Sequence, residues 1–168
     1  MLETNVVVGV SGTTIRFADG LVIEILHPPD PPLRGTASDV DNNGLVIRAS
    51  LDSSSLLLTG DMFVDGELVL LDLQGDVAAD VLKAGHHGSD TSTSASLLSA
   101  VNPTIAVVSA ALNNRFGHPA DEVVERLQAR VGDAYLFETA RHGTIHLTSD
   151  GSRWWWAAEC EETLKPSC

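Results

Sequence analysis

Three short strings in this sequence carry side chains able to hold a metal ion or move a proton. Gly60-Asp61 supplies a carboxylate, and Lys83-Ala84-Gly85-His86-His87-Gly88-Ser89 supplies an ammonium, two imidazoles and a hydroxyl. Asn113-Asn114-Arg115-Phe116-Gly117-His118-Pro119 adds two amides and a third imidazole. Each string follows an apolar run, over 56–59, 77–83 and 104–110 respectively. Such runs read as buried strands, and strand ends are where α/β sheets place ligands. One carboxylate and several imidazoles brought together there make a site for a borderline or hard dication such as zinc or manganese. Gly60, Gly85, Gly88 and Gly117 suit the sharp turns of a crowded site.

The same residues have plainer readings. An Asp after Gly at a strand end also serves as an ordinary turn residue or helix cap. His118 before Pro119 also precedes a helix whose first turn holds the proline. Adjacent His residues cannot both fill a core from one strand face, so His86 and His87 belong either to a polar surface loop or to a site. His27, His142 and His146 read as structural.

The elements that must position these groups follow from the apolar patterning. Short strands over 6–10 and 13–17 flank Ser11-Gly12, and a third over 21–26 follows the turn Ala18-Asp19-Gly20. Pro28, Pro29, Pro31 and Pro32 open an exposed loop that lasts through Asn43. Residues 45–51 and 56–59 form a hairpin whose second strand is apolar on both faces and therefore central. Helices and strands then alternate: a helix on Val64, Leu68, Leu71 and Leu73, the strand 77–83, a helix over Ala95–Val101, the strand 104–110, and a helix from Pro119 to about Arg130. Strands over 134–137, 144–147 and 153–157 close the chain. The fold class is α/β, in an α+β layered form. One domain spans 1–158, with a tail over 159–168.

With 168 residues, 43% hydrophobic and 20% charged, the chain has the material for one core. A formal charge of -13 argues against a broad basic face for nucleic acid. That charge is uneven: eight acids face one base over 41–80, whereas four balance four over 81–130, the stretch holding three of the six His. An anionic ligand approaches most easily there. No apolar run reaches the roughly 18–20 residues of a membrane-spanning helix, and MLETNVVVGV lacks a basic leader. Cys160 and Cys168 can pair with each other but make no Cys-rich zinc site or disulfide scaffold. Trp154-Trp155-Trp156 reads as a closing edge strand with at least alternate rings packed.

In order, Leu56-Leu57-Leu58-Thr59-Gly60-Asp61, Ala79-Asp80-Val81-Leu82-Lys83-Ala84-Gly85-His86-His87-Gly88-Ser89 and Asn113 through Pro119 resemble the C-terminal metallo-β-lactamase-fold domain of ComEC-type DNA-uptake proteins. Leu26-His27-Pro28-Pro29, Asp41-Asn42-Asn43 and the ending around Gly143-Thr144-Ile145 agree with it. The resemblance covers about residues 6–151. It implies an αββα sandwich with a metal site that hydrolyses phosphodiester bonds, DNA among them. Asp61 and one of the pair His86 and His87, taken as His86, then correspond to residues of the metal centre, and His118 to a histidine that serves as a ligand or a phosphate contact. His87, Ser89, Lys83 and Asn113 become catalytic or substrate-orienting candidates. A bound dication lowers the pKa of water toward about 7 and offsets phosphate charge.

One departure is large: the early His-x-His-x-Asp-His cluster of that fold is missing, no His preceding His27. The chain is therefore expected to be the C-terminal part of such a domain, weak in metal binding and inactive alone. Its expected partners are the missing N-terminal half or a membrane channel subunit, DNA or another phosphodiester, and a second copy covering an exposed sheet face. Attached to such a channel, it would lie on the extracytoplasmic side. The competing readings are a non-catalytic partner-binding half-domain, a hydrolase of this fold with another substrate, and a metal-free hydrolase using Ser89 with His87 as base.

Overall fold

The chain folds around one seven-stranded sheet whose middle strand changes its direction of pairing. The computed structural model describes residues 8–159. Strands β1 (Thr14–Arg16), β2 (Val22–His27), β3 (Val46–Leu51) and β4 (Ser54–Leu58) form an antiparallel meander. From β4 onward, β5 (Val81–Lys83), β6 (Ile105–Val108) and β7 (Leu136–Glu138) add in parallel, so sheet order equals chain order. Helices α1 (Val64–Gln74), α2 (Ala95–Val101) and α3 (Asp121–Val131) make the crossovers that parallel pairing requires. The apolar run at 56–58 marked β4 as central, and it lies fourth of seven.

Alternation of side chains along the strands gives the sheet two apolar faces. Leu57, Leu82, Ala106, Val108 and Leu136 point into the larger core with Leu70 of α1, Leu97 of α2 and Leu127 of α3. Leu57, Leu70, Leu82, Leu97 and Leu127 are wholly buried, each removing apolar surface worth about 1.5–3 kcal/mol from water. Val81, Ile105 and Phe137 face the opposite way, under Ile145, Leu147 and Trp154. Those last residues belong to a separate antiparallel pair, β8 (Ile145–Ser149) and β9 (Trp154–Ala158). Trp154 packs inward and its indole N–H reaches the Asp80 carboxylate, while Trp155 and Trp156 are exposed. Helices, large sheet and small sheet thus form successive layers, an α+β layered fold.

Several boundaries differ from the sequence reading. Residues 8–10 form no strand; the chain there is tied to the sheet by Ser11 N–H and Gly12 N–H donating to the Pro28 and Ile25 carbonyls. The strand expected over 77–83 shrinks to Val81–Lys83: its ladder with β4 starts at Leu56, and the preceding Ser55 N–H donates to the Asp80 carboxylate instead. Val77 and Ala79 are buried without joining the ladder. Residues 133–135 form a 3-10 turn before β7, and a short helix α4 (Thr139–His142) follows it. The hairpin turn is two residues, Asp52-Ser53, and not four. The loop through Asn43 is exposed or half-buried except at Asn42, which is fully buried and accepts from the Phe63 and Gly66 N–H groups at the start of α1. A side chain at Gly66 would place Cβ 2.8 Å from that amide oxygen. Cys160 and Cys168 lie outside the described residues.

Candidate functional site

Parallel β4, β5 and β6 end side by side, and the three strings identified in the sequence leave from those ends. Thr59 Oγ1 donates to the Lys83 carbonyl, His86 N–H to the Gly60 carbonyl, and Ala84 N–H to the Val107 carbonyl, lacing the three exits together. Ala120 N–H reaches the Gly88 carbonyl, drawing the start of α3 against the second string. Gly88 has φ +81° and an added Cβ would lie 2.6 Å from Pro119 Cβ, so only glycine fits that contact.

His86 and His87 both adopt left-handed backbone conformations, φ 44° and 57°. Consecutive non-glycine residues in that region cost about 1–2 kcal/mol each, so surrounding bonds must hold them. Gly85 N–H donates to Thr93 Oγ1, Ser92 Oγ to the Gly85 carbonyl, and Ser89 N–H to the His86 carbonyl. Thr93, itself at φ 53°, is fixed in turn by the buried Glu67 of α1, which accepts from Thr93 and Ser94 N–H, and by Arg126 of α3, which donates to its carbonyl. Burial pushes the Glu67 carboxyl above its ordinary value, against those bonds and the Arg126 charge.

The twist of the loop separates the two imidazoles. His87 Nδ1 donates to the Ser109 carbonyl at 2.7 Å, and its Nε2 lies 3.6 Å from Asp61 Oδ1. His86 stacks on Phe63 at 5.0 Å, approaches Thr91 Oγ1 through Nδ1, and meets His118 edge-on with centroids 5.6 Å apart. Burial, then the neighbouring His86 and His87, lower the His118 pKa, with Asp90 opposing. Lys83 also lies below the usual ammonium range, lowered by burial and partly restored by Asp61. Asp61, His86, His87 and His118 therefore share one exposed corner of the molecule.

The Asp61–His87 pair turns a ring nitrogen and a carboxylate oxygen toward one gap. A carbonyl only accepts, so Nδ1 carries a hydrogen; a neutral His87 then turns a lone pair at Nε2 toward a carboxylate. The pair fits two donors of a divalent-cation site. Among the described residues no three His, Cys, Asp or Glu side chains come together as a metal-holding group.

Ser89 is buried, and its hydroxyl meets Asp90 and Thr91; no hydrogen bond joins it to His87 among the described residues. Asn113 lies on the exposed loop at φ 54°, whereas its neighbour Asn114 holds that loop. Asn114 Nδ2 donates to the Ala111 and His118 carbonyls, and its Oδ1 accepts from Phe116 and His118 N–H. Sequence reasoning missed Glu67, Thr91 and the role of Asn114. Thr93 and Asn113 both sit in left-handed turns, where Asn is commonly placed and Thr is not, and the residue types alone did not mark that bracing. His27 is buried with Nε2 donating to the Asn42 carbonyl, and His142 Nδ1 lies against the Glu138 backbone. An open cleft of about 470 Å³ beside the imidazoles is lined by His87, Ser109, Ala110, Phe116, His118 and Thr139.

No protein-family model matches this chain. It is 34% identical over 136 residues to ComE operon protein 3 of Bacillus subtilis, an alignment covering 80% of this chain and 16% of that protein. Competence protein ComA of Neisseria gonorrhoeae is 37% identical over 114 residues, covering 66% of this chain and 16% of the relative. Recombination protein 2 of Haemophilus influenzae is 39% identical over 108 residues, covering 64% and 13%. The chain thus spans about a sixth or less of the length of these relatives.

Proposed function

We propose, starting from the kinship with competence and DNA-uptake proteins that these relatives support, that the chain supplies part of a metal-dependent phosphodiesterase site acting on DNA. The observation that carries this reading is the Asp61–His87 pair, whose two unshared donors face one gap. Asp61 and His87 would hold zinc or manganese from this side, with His86 and His118 at its flank. Such a dication, when bound, supplies a hydroxide near neutral pH and neutralises phosphate charge. The Ser109 carbonyl fixes the His87 tautomer, as the partners of metal-bound imidazoles commonly do. Lys83 contributes positive charge beside Asp61. The domain architecture suited to this work is the metallo-β-lactamase αββα sandwich, of which these layers would form the C-terminal part. The further ligands would come from the segment that precedes this stretch in the longer relatives, and attachment to a membrane channel would place the site on the extracytoplasmic side.

The test uses a protein in which this chain is joined to that preceding segment. Manganese-dependent cleavage of DNA and stoichiometric metal content are expected there, and well below stoichiometric metal in the isolated chain. Asp61→Ala should abolish turnover, and His87→Ala should weaken metal affinity by about 10–100-fold or more. Unaltered turnover in Asp61→Ala rejects the assignment. A second reading, a non-catalytic partner-binding module, is favoured by the exposed Ile15 and Phe17 at the β1 edge. It predicts full partner binding by Asp61→Ala with no hydrolysis in the wild type.

A further inference from the structure

Phe116 is the least expected side chain at the site. It is 65% exposed, yet its backbone is not loose: Asn114 accepts from its N–H and also pins the carbonyls and amides on either side. The ring lies nearly parallel to the His118 imidazole, centroids 5.8 Å apart at 17°, and the Arg115 guanidinium sits 4.6 Å from its centroid. An aromatic ring held in water by a clamp, beside a cation and a cleft, is arranged to receive something flat. Apolar exposure alone does not explain the guanidinium, and a cation site alone does not explain the ring.

We infer that Phe116 and Arg115 form a stacking subsite for an unpaired nucleobase, with the adjoining phosphate directed toward the imidazole corner. This rests on the phosphodiesterase reading and deepens it by naming the form of substrate: a single strand. Bases inside a duplex offer no free face to a side chain, whereas an unpaired base stacks on an aromatic ring whatever its identity. The cleft of about 470 Å³ falls in the lower part of the roughly 300–1,000 Å³ range of small-ligand pockets. A base taking the Phe116 face displaces Arg115 toward the backbone phosphate, converting a cation–π contact into an ion pair. Residues 81–130 carry balanced charge, so this corner is the part of the chain that repels a polyanion least.

The experiment measures binding, not turnover. Fluorescence anisotropy follows a phosphorothioate single strand of about 12 nucleotides, and a closed hairpin duplex of the same length, in buffer with manganese chloride. The chain should bind the single strand more tightly than the duplex. Phe116→Ala should weaken single-strand binding by about tenfold, Phe116→Trp should preserve it, and Arg115→Ala should lower the salt slope by about one. Phe116 is exposed, so loss of fold is not the expected consequence; circular dichroism of each variant checks it. Equal binding by Phe116→Ala, equal affinity for duplex, or no saturable binding by the unsubstituted chain overturns the inference. Binding that follows this pattern without hydrolysis in the extended protein would leave the subsite standing and remove the phosphodiesterase reading. Hydrolysis with no effect of Phe116→Ala would do the reverse.

Discussion

Glu67→Gln should destabilise the chain and loosen the imidazole loop at a distance from it. The carboxylate is 1% exposed and accepts from both Thr93 and Ser94 N–H. Gln retains one accepting oxygen but turns an N–H₂ group against the other donor. A hydrogen bond to an ionised acceptor contributes about 1.5–3 kcal/mol, and an unsatisfied buried donor costs about 1–3 kcal/mol. Together these give an expected loss of about 2.5–6 kcal/mol, a large part of the usual 5–15 kcal/mol of a domain. Urea unfolding reads it as a lower midpoint with unchanged slope. The exposed Glu122→Gln serves as control and should stay within about 0.5 kcal/mol. Because Thr93 Oγ1 accepts from Gly85 N–H, amide exchange at Gly85 and His86 should accelerate in the Glu67 variant only. The pH dependence has a fixed sign. Burial raises the Glu67 pKa in the folded chain, so folding binds its proton more tightly. That contribution is complete below the ordinary carboxylate range and is withdrawn as pH rises through the raised value. Glu67→Gln should remove this slope. A midpoint equal to that of the Glu122 control, or unchanged exchange at Gly85, refutes the reasoning.

Other outcomes follow from the same geometry. His27 is fully buried, its Nδ1 lacks a partner among the described residues, and burial lowers its pKa. The stability it contributes as a neutral ring is complete above the ordinary imidazole range and lost as pH falls through the lowered value, so unfolding midpoints should drop there and flatten in His27→Gln. Gly88→Ala sets a Cβ against Pro119 at φ +81° and should cost about 2–4 kcal/mol by urea unfolding. Asn114→Ala removes four hydrogen bonds and should cost about 1–3 kcal/mol with faster exchange at Phe116 and His118, whereas Asn113→Gly at φ 54° should be neutral or slightly stabilising.

The sequence patterning was most legible where burial is two-sided. Leu56, Leu57 and Leu58 announce a strand covered on both faces, and β4 is covered on both faces. The strand ends followed from the same runs, so the meeting of Asp61 with the His86–His87 string and His118 was readable in advance. Which imidazole faces Asp61 was not. That choice depends on two successive left-handed residues, and their conformation is imposed by Thr93 and Glu67, 26 residues apart in the chain. Within Gly66-Glu67-Leu68 a glutamate reads as an exposed helix residue, because its partners arrive only when the 91–94 loop folds over α1. Asn113 and Asn114 have the same composition signal; the backbone turn at 113 decides that the second one does the bracing.

The reversal of pairing at β4 also dictates an order of assembly. On its first side β4 closes against β3 through a two-residue turn, with Leu51 opposite Ser54. On its second side Leu56 must wait for Val81, beyond a whole crossover helix. Local pairings form faster than distant ones, so the β1–β4 meander becomes a template first, while Leu56–Leu58 still presents a bare apolar edge. During that interval the nascent chain is open to edge-to-edge association. The three loops of the imidazole corner come together only when this edge is closed, so the site forms after the meander that templates it.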